Sequence, residues 1–325
     1  MNYSILFRDG KVMQEPGKSF EGYVYMNKGK IVKVDKGEVP QEFSFATYLI
    51  NGKGRIITPG FICPLTQLSK YPSRYGGKEA ETSKEIYRAT QMALQDLLLS
   101  GFTAVGTIES KVDPVARAIA DSGIRAIIFV DSRAEGWKEE LQLLLNRWHG
   151  HEERIFAGIA ALEENEEAEE LAKRFNLPLI KKEDIKEVEG IAKERGIVTI
   201  EKGGKRTYGF IDSKTTSPLN VVRSLYYMGM SPVEALKALT VNAAEILGLN
   251  KVGKIKEGYY ADVVVWDASE PPGWTAGHGE PEEIILASNP KVESVIVAGE
   301  VLVDISEMLT IGRKDVKEAK RLFER

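Results

Sequence analysis

The sequence predicts an α/β fold: a TIM-like (β/α) barrel of short length, plus a small β-sandwich built from both chain ends. Three observations predict it. Residues 3–57 alternate short apolar strands with glycine-containing turns. From residue 58 strand-like runs alternate with amphipathic ones. After Gly248 the patterning returns to β.

At the start, Ile5-Leu6-Phe7, Tyr23-Val24-Tyr25, Ile31 to Val34 and Ile56-Ile57 read as strands, and Asp9-Gly10 and Lys28-Gly29 read as hairpin turns between them. In the middle, strands are expected at 59–67, 103–109, 124–131, 155–162, 178–182, 197–201 and 207–212. Helices are expected at about 83–100, 113–122, 136–148, 163–175 and 184–195. Ser100-Gly101, Ser122-Gly123 and Arg195-Gly196 are suitable helix ends. The alternation implies parallel βα units closing into a sheet or a barrel. A barrel usually needs ~200 residues or more, with ~250 typical. The stretch available leaves room for one missing or shrunken unit.

Residues 216–248 read as helical, with Ser217-Pro218 and Ser231-Pro232 as helix starts. Val263 to Trp266 and Val295 to Val303 then form a strand and a hairpin, and about 313–325 form a charged amphipathic helix. The expected units are 1–57 with 249–305 as a composite β-sandwich, 58–248 as the barrel, and 306–325 as a helical tail.

Composition narrows the function classes. The chain has 325 residues, 43% hydrophobic and 28% charged, and a net charge of −4. These are ordinary values for a globular protein, and the charge gives no reason to expect nucleic acid or an anionic membrane as partner. The single cysteine, Cys63, excludes an intrachain disulfide framework and fits a reducing, cytoplasmic setting. No apolar run reaches the length of a membrane span, and the first residues lack the features of a signal peptide.

Several segments carry a family resemblance. They are residues 5–34, Gly52-Lys53-Gly54-Arg55-Ile56-Ile57-Thr58-Pro59-Gly60-Phe61-Ile62, Ser83 to Val105, Asn242-Ala243-Ala244-Glu245-Ile246-Leu247-Gly248-Leu249, Gly253 to Val264, and Leu309-Thr310 with the charged helix after it. Together they resemble the amidohydrolase superfamily, most nearly its branch of cytosine, guanine and S-adenosylhomocysteine deaminases and chlorohydrolases. Residues 133–206 match poorly. The resemblance implies a TIM-like barrel and hydrolysis of non-peptide C–N or C–halogen bonds on rings. It implies zinc or iron held by histidines and one aspartate, with a metal-bound water brought close to neutral pKa. It also makes a homo-oligomer reasonable.

The chain departs from that pattern where the metal would sit. In the family a Pro-Gly-Phe-Ile-Asp segment leads into His-x-His. Here Cys63 stands at the aspartate position, and Leu65 and Gln67 stand at the two histidine positions. A leucine side chain offers no lone pair, and an amide oxygen is a weak ligand for zinc or iron. No metal or other cofactor is therefore expected.

The remaining candidates lie at strand ends, where barrel chemistry occurs. By resemblance, Asp212 is the metal-binding and proton-accepting aspartate. Lys181 and Lys182 follow a Leu-Pro strand that delivers a metal-binding histidine in the branch. One of them is expected either to fill the vacated metal space and pair with Asp212, or to begin a solvated loop. Gln67, Glu109 and Asp131 complete the expected pocket. With Glu163, Glu201 and Asp212 they could form an all-oxygen site for magnesium or manganese.

The chain has three histidines. His149 and His151 precede a strand and so belong to the face opposite the mouth, and His278 reads as a loop residue. Cys63 reads as a buried inert thiol. Gly203-Gly204-Lys205 reads as a tight turn and not a phosphate loop. Trp137, Trp148 and Tyr226-Tyr227 read as packing residues. Two functions follow: a C–N hydrolase with a remodelled site, or an inactive homologue that binds an unknown small molecule or serves a structural role.

Overall fold

Alternating apolar residues at the two chain ends assemble one sheet. The computed structural model describes residues 4–187, 197–210, 218–227, 229–271, 273 and 279–324. Strands β1 (Ile5–Glu15), β2 (Lys18–Asn27) and β3 (Lys30–Lys36) form a meander, and β4 (Tyr48–Asn51) and β5 (Arg55–Pro59) both pair with β1 in parallel. Lys28-Gly29 is a hairpin turn as expected. Asp9-Gly10 is not. It is a bulge inside β1, with Asp9 at φ 59°. A Cβ on Gly10 would stand 2.4 Å from the Gly52 carbonyl oxygen, so only glycine allows this backbone approach. The bulge passes β1 from one partner to the next, since residues 5–8 pair with β4 and residues 11–12 with β5.

The barrel region follows. Strands β6 (Phe61–Thr66), β7 (Phe102–Glu109), β8 (Arg125–Asp131), β9 (Ile155–Ala161) and β10 (Leu179–Lys181) are parallel neighbours in chain order. Helices α1 (Ser83–Leu99), α2 (Val112–Ser122), α3 (Trp137–Arg147) and α4 (Glu166–Arg174) connect them. This is a half-barrel. Its outer face buries Phe61, Cys63, Val105, Ile128 and Ile159 against helix residues such as Leu94, Leu98 and Ile119. Its inner face carries Ile62, Leu65, Ala104, Ile108, Ile127, Phe129, Ala160 and Ile180. Trp137 and Trp148 are packed in the outer core, as expected.

Beyond β10 the expectation of further parallel βα units fails. The residues form a three-stranded antiparallel sheet of β11 (Ile185–Glu187), β12 (Ile197–Lys202) and β13 (Lys205–Phe210). The expected helix at 184–195 is strand over 185–187, and 188–196 lie outside the described residues. The reason is the turn. Gly203 and Gly204 both have positive φ, 57° and 73°, as a two-residue hairpin turn requires. Two residues cannot hold the crossover that parallel strands need. The end of β13 lies beside the end of β6, because a Cβ on Gly209 would stand 2.9 Å from the Cβ of Leu65.

Helices α5 (Pro218–Tyr227), α6 (Pro232–Leu239) and α7 (Val241–Leu247) come next. The Ser231 hydroxyl caps α6 by accepting from the Glu234 N–H. Helix α7 closes the inner face of the half-barrel, bringing Ala243, Ile246 and Leu247 into the inner core. Gly106 makes room for it, since a Cβ there would meet the Pro64 carbonyl oxygen at 2.2 Å and Leu247 Cδ2 at 3.2 Å.

The chain then rejoins the first sheet. Strand β14 (Val263–Asp267) pairs antiparallel with β5, and helix α8 (Pro281–Ala287) precedes β15 (Lys291–Val297), β16 (Glu300–Asp304) and β17 (Glu307–Met308). Both chain ends thus share one nine-stranded sheet. The β2–β3 turn and the start of β3 meet the segment that enters β14: Ala261 donates to the Gly29 carbonyl at 2.9 Å, and Ile31 to the Tyr259 carbonyl at 2.9 Å. Helix α9 (Arg313–Phe323) packs beside α1, with Arg88 bonded to Asp315 at 3.1 Å. Among the described residues no helix is long and apolar enough to cross a membrane.

Candidate functional site at the strand ends

The carboxyl ends of β6 to β10 form one rim, and side chains there are candidates by position. Leu65, at the first histidine position of the family motif, is fully buried in the inner core. The next residues turn away in a short 3-10 helix, Leu68–Lys70. Glu109, at the end of β7, holds that turn. Its Oε1 accepts from the Leu68 N–H at 2.8 Å, the Ser69 N–H at 3.3 Å and the Thr107 hydroxyl at 2.5 Å, and its Oε2 accepts from the Ser69 hydroxyl at 2.5 Å. Glu109 is 3% exposed, so burial pushes its carboxyl above the ordinary range, and the hydrogen bonds offset only part of that push.

Gln67 brings a buried acceptor to the rim. Its Oε1 has no hydrogen-bond partner among the described residues. Its backbone carbonyl accepts from Arg74 Nη2 at 2.8 Å, and the same nitrogen donates to the Thr66 hydroxyl at 2.9 Å. Arg74 therefore places a guanidinium at the exit of β6. The sequence carried no signal for this residue, because the contact depends on how the loop after β6 folds back, through the 3-10 helix Pro72–Tyr75.

Asp131, at the end of β8, is engaged by its neighbour. Arg133 donates from Nε at 2.9 Å and from Nη2 at 2.8 Å. Burial pushes the Asp131 carboxyl up, but the bonds from Arg133 and the nearby Lys70 charge outweigh it and hold the carboxyl below its ordinary value.

Lys181 ends β10 and pairs with Glu169 of α4 at 2.5 Å and Glu183 at 3.6 Å. Lys182 is exposed in the following 3-10 helix. The expected partner, Asp212, lies outside the described residues, as does His278. Glu163 lies beside α4 in the groove that Lys181 and Lys182 share.

Glu201 is not at this rim. It neighbours the Gly203-Gly204 turn and pairs with Lys186 and Arg206, both at 2.5 Å. The expected all-oxygen grouping is therefore not assembled with Glu201. Among the described residues no group of three or more His, Cys, Asp or Glu is placed to hold a metal ion. The donors left at the described strand ends are an amide and carboxylates already engaged by other groups, and these do not fit the zinc or iron of the family.

His149 and His151 lie at the other end of β9, as expected. His149 Nδ1 accepts from the Ala157 N–H at 3.0 Å, and the His151 ring packs on Trp148 at 5.4 Å. Cys63 is 1% exposed, and burial pushes its thiol up to about 12.

Comparison with known proteins supplies a second line of evidence. The amidohydrolase family model matches residues 211–302. A 5-methylthioadenosine/S-adenosylhomocysteine deaminase of Caldicellulosiruptor saccharolyticus is 21% identical, with 94% of each chain covered. That alignment runs over 406 positions, more than the chain's 325 residues, so the relative carries segments with no counterpart here. A 5'-deoxyadenosine deaminase of Methanopyrus kandleri is 31% identical over 38% of this chain and 30% of its own length. Among solved structures, a zinc-bound atrazine chlorohydrolase of Arthrobacter aurescens has a TM-score of 0.80 at 17% identity, covering 98% of this chain and 99% of its own. A zinc-bound adenosine deaminase of Xanthomonas campestris has a TM-score of 0.79 at 15% identity, covering 98% and 97%. At these identities the structural likeness speaks for the fold alone.

Proposed function

We propose that this chain, which belongs to the amidohydrolase superfamily in its deaminase and chlorohydrolase branch, keeps the scaffold of a hydrolase of non-peptide C–N bonds without its metal-hydroxide chemistry, and acts as a small-molecule binding protein. One observation carries the reading. The first metal-ligand position is Leu65, sealed in the inner core, and the strand exit beyond it is occupied by the Arg74 guanidinium. A fixed cation repels a divalent ion, and a leucine cannot bind one. The carboxylate best placed to replace a ligand, Glu109, is committed to four hydrogen bonds that hold the rim turn. The unpartnered Gln67 oxygen is the acceptor this rim offers to a ligand N–H.

The test uses protein purified without a metal-binding tag. Elemental analysis for zinc, iron and manganese is expected to give far less than one ion per chain. Incubation with adenosine and 5'-methylthioadenosine is expected to release no ammonia. One tightly held metal per chain, with turnover that chelation abolishes, would overturn the reading.

A second reading is an active hydrolase of non-peptide C–N bonds. The likeness to a deaminase along 94% of both chains favours it. Its ligands would have to include residues such as Asp212, and the same pair of measurements separates the two readings.

A further inference from the structure

The half-barrel has a second opening, at the amino ends of its strands, away from Gln67 and Glu109. It is a cavity of about 810 Å³ between the starts of β8 and β9, the loop before β10, the β12–β13 turn and the end of α7. Ile127, Phe156 and Leu249 supply an apolar wall, and His149, Lys202 and Lys251 supply polar heads.

The charges there do not cancel. Arg125 is paired with Asp262 at 2.6 Å, and Lys205 with Glu245 at 2.8 Å. Among the described residues Lys202 has only a carbonyl partner, Leu179, at 2.6 Å, and no carboxylate compensates its charge. Lys251 has no carboxylate partner among the described residues. Two cations thus face one cavity in a chain whose net charge is −4. His149 adds a donor. Its Nδ1 accepts from the Ala157 N–H, so the neutral ring carries its hydrogen on Nε2.

An apolar wall with a few convergent cationic and N–H groups is the chemistry of a small-ligand site. Location separates it from the family's chemistry, which runs at the carboxyl ends of the strands. We propose that this cavity binds a small organic anion, with its carboxylate or phosphate held by Lys202 and Lys251 and its apolar body laid against Ile127 and Phe156. The proposal does not depend on what happens at the Gln67 rim.

Calorimetric titration of the full chain tests it, with benzoate and phenyl phosphate as anionic probes and benzyl alcohol as their neutral counterpart. At least one anion is expected to bind with one-to-one stoichiometry, and the one that binds more tightly identifies the head group. Benzyl alcohol is expected to bind at least about tenfold more weakly, as is the anion to Lys202→Gln/Lys251→Gln. Raising the salt concentration weakens anion binding to the parent chain. Lys182→Gln, at the opposite end of the barrel, leaves binding unchanged, so loss at that variant instead would place the probe at the rim and overturn the proposal. Should the double variant fold poorly, Lys251→Gln alone carries the same comparison. Absence of binding by both anions, equal binding by benzyl alcohol, or indifference to the lysine changes overturns it.

Discussion

Arg125 and Asp262 meet as a bidentate ion pair, Nε to Oδ2 at 2.6 Å and Nη2 to Oδ1 at 3.0 Å, with each side chain 1% exposed. The pair ties the first residue of β8 to the segment entering β14, and the Tyr260 ring covers the guanidinium at 4.4 Å. Asp262 Oδ1 also accepts from the Ala298 N–H at 2.8 Å. Removing one partner strands a buried charge. Asp262→Asn is expected to cost about 3–5 kcal/mol in urea unfolding. Arg125→Met combined with Asp262→Leu should cost less than the two single changes summed, and strict additivity would show that the two groups do not act as a pair.

Glu109 predicts a rim-turn variant. Glu109→Ala leaves the Ser69 N–H without its acceptor and the Leu68 N–H with only the Thr107 hydroxyl at 3.1 Å, and is expected to cost about 2–4 kcal/mol. Glu109→Gln keeps one acceptor and should cost less. The pH dependence has a definite sign. The Glu109 pKa is raised on folding, so the folded chain holds the proton more tightly than the unfolded chain. Its contribution is full below the ordinary glutamate value and declines as pH rises through that value toward the raised one. In urea titrations the stability of the parent relative to Glu109→Gln should therefore fall as pH rises through that window, and a relative stability that rises with pH would contradict this.

Cys63 predicts a chemical silence. Its thiol is 1% exposed and pushed up to about 12. The native chain should not react with a thiol-specific disulfide reagent at neutral pH, and one equivalent should react on unfolding. Rapid native reaction would reopen the nucleophile reading.

Glu85 predicts a helix-start effect with the opposite pH sign. Thr82 and Glu85 form a capping box at α1, and the Lys78 ammonium bonds the same carboxylate at 2.6 Å. The bond from Lys78, with those from Thr82 and Glu81, lowers the Glu85 pKa to about 2. A lowered value means its contribution is present above the ordinary value of 4.5 and is lost as pH falls toward 2. The thermal-midpoint advantage of the parent over Glu85→Gln should shrink across that window. The effect is small, because its Lys78 partner is exposed and the pair lies at the surface.

Much of this architecture was legible in the residues themselves. Strand and helix periods placed α1 to α4 and β6 to β10 to within a few positions, because each buries a regular apolar face. The misreadings have local causes. Asp9-Gly10 carries a hairpin signature, yet it serves as a bulge, because a turn signal reports backbone preference and not what the next strand pairs with. Gly203-Gly204 was read as a turn while its flanking strands were still counted as parallel, although two residues leave no room for a crossover. At the candidate site, Leu65 and Gln67 can be read directly from the chain, but the Arg74 contact cannot, since it depends on a loop folding back over β6. Glu109 was marked as a rim residue, and its commitment to the Leu68–Lys70 turn shows only once both strands are in place.

The pairing of β5 with β14 sets an order of events during synthesis. Arg55 aligns with Asp267 in one ladder, so more than two hundred residues separate strands that must lie side by side. The first five strands leave the ribosome without the neighbours that complete their sheet. They can pair with one another through β1 and β2, but the β5 edge stays open until β14 emerges. Such distant closure makes folding slow, and the exposed β5 edge is the place where a nascent chain is most open to pairing with the wrong partner.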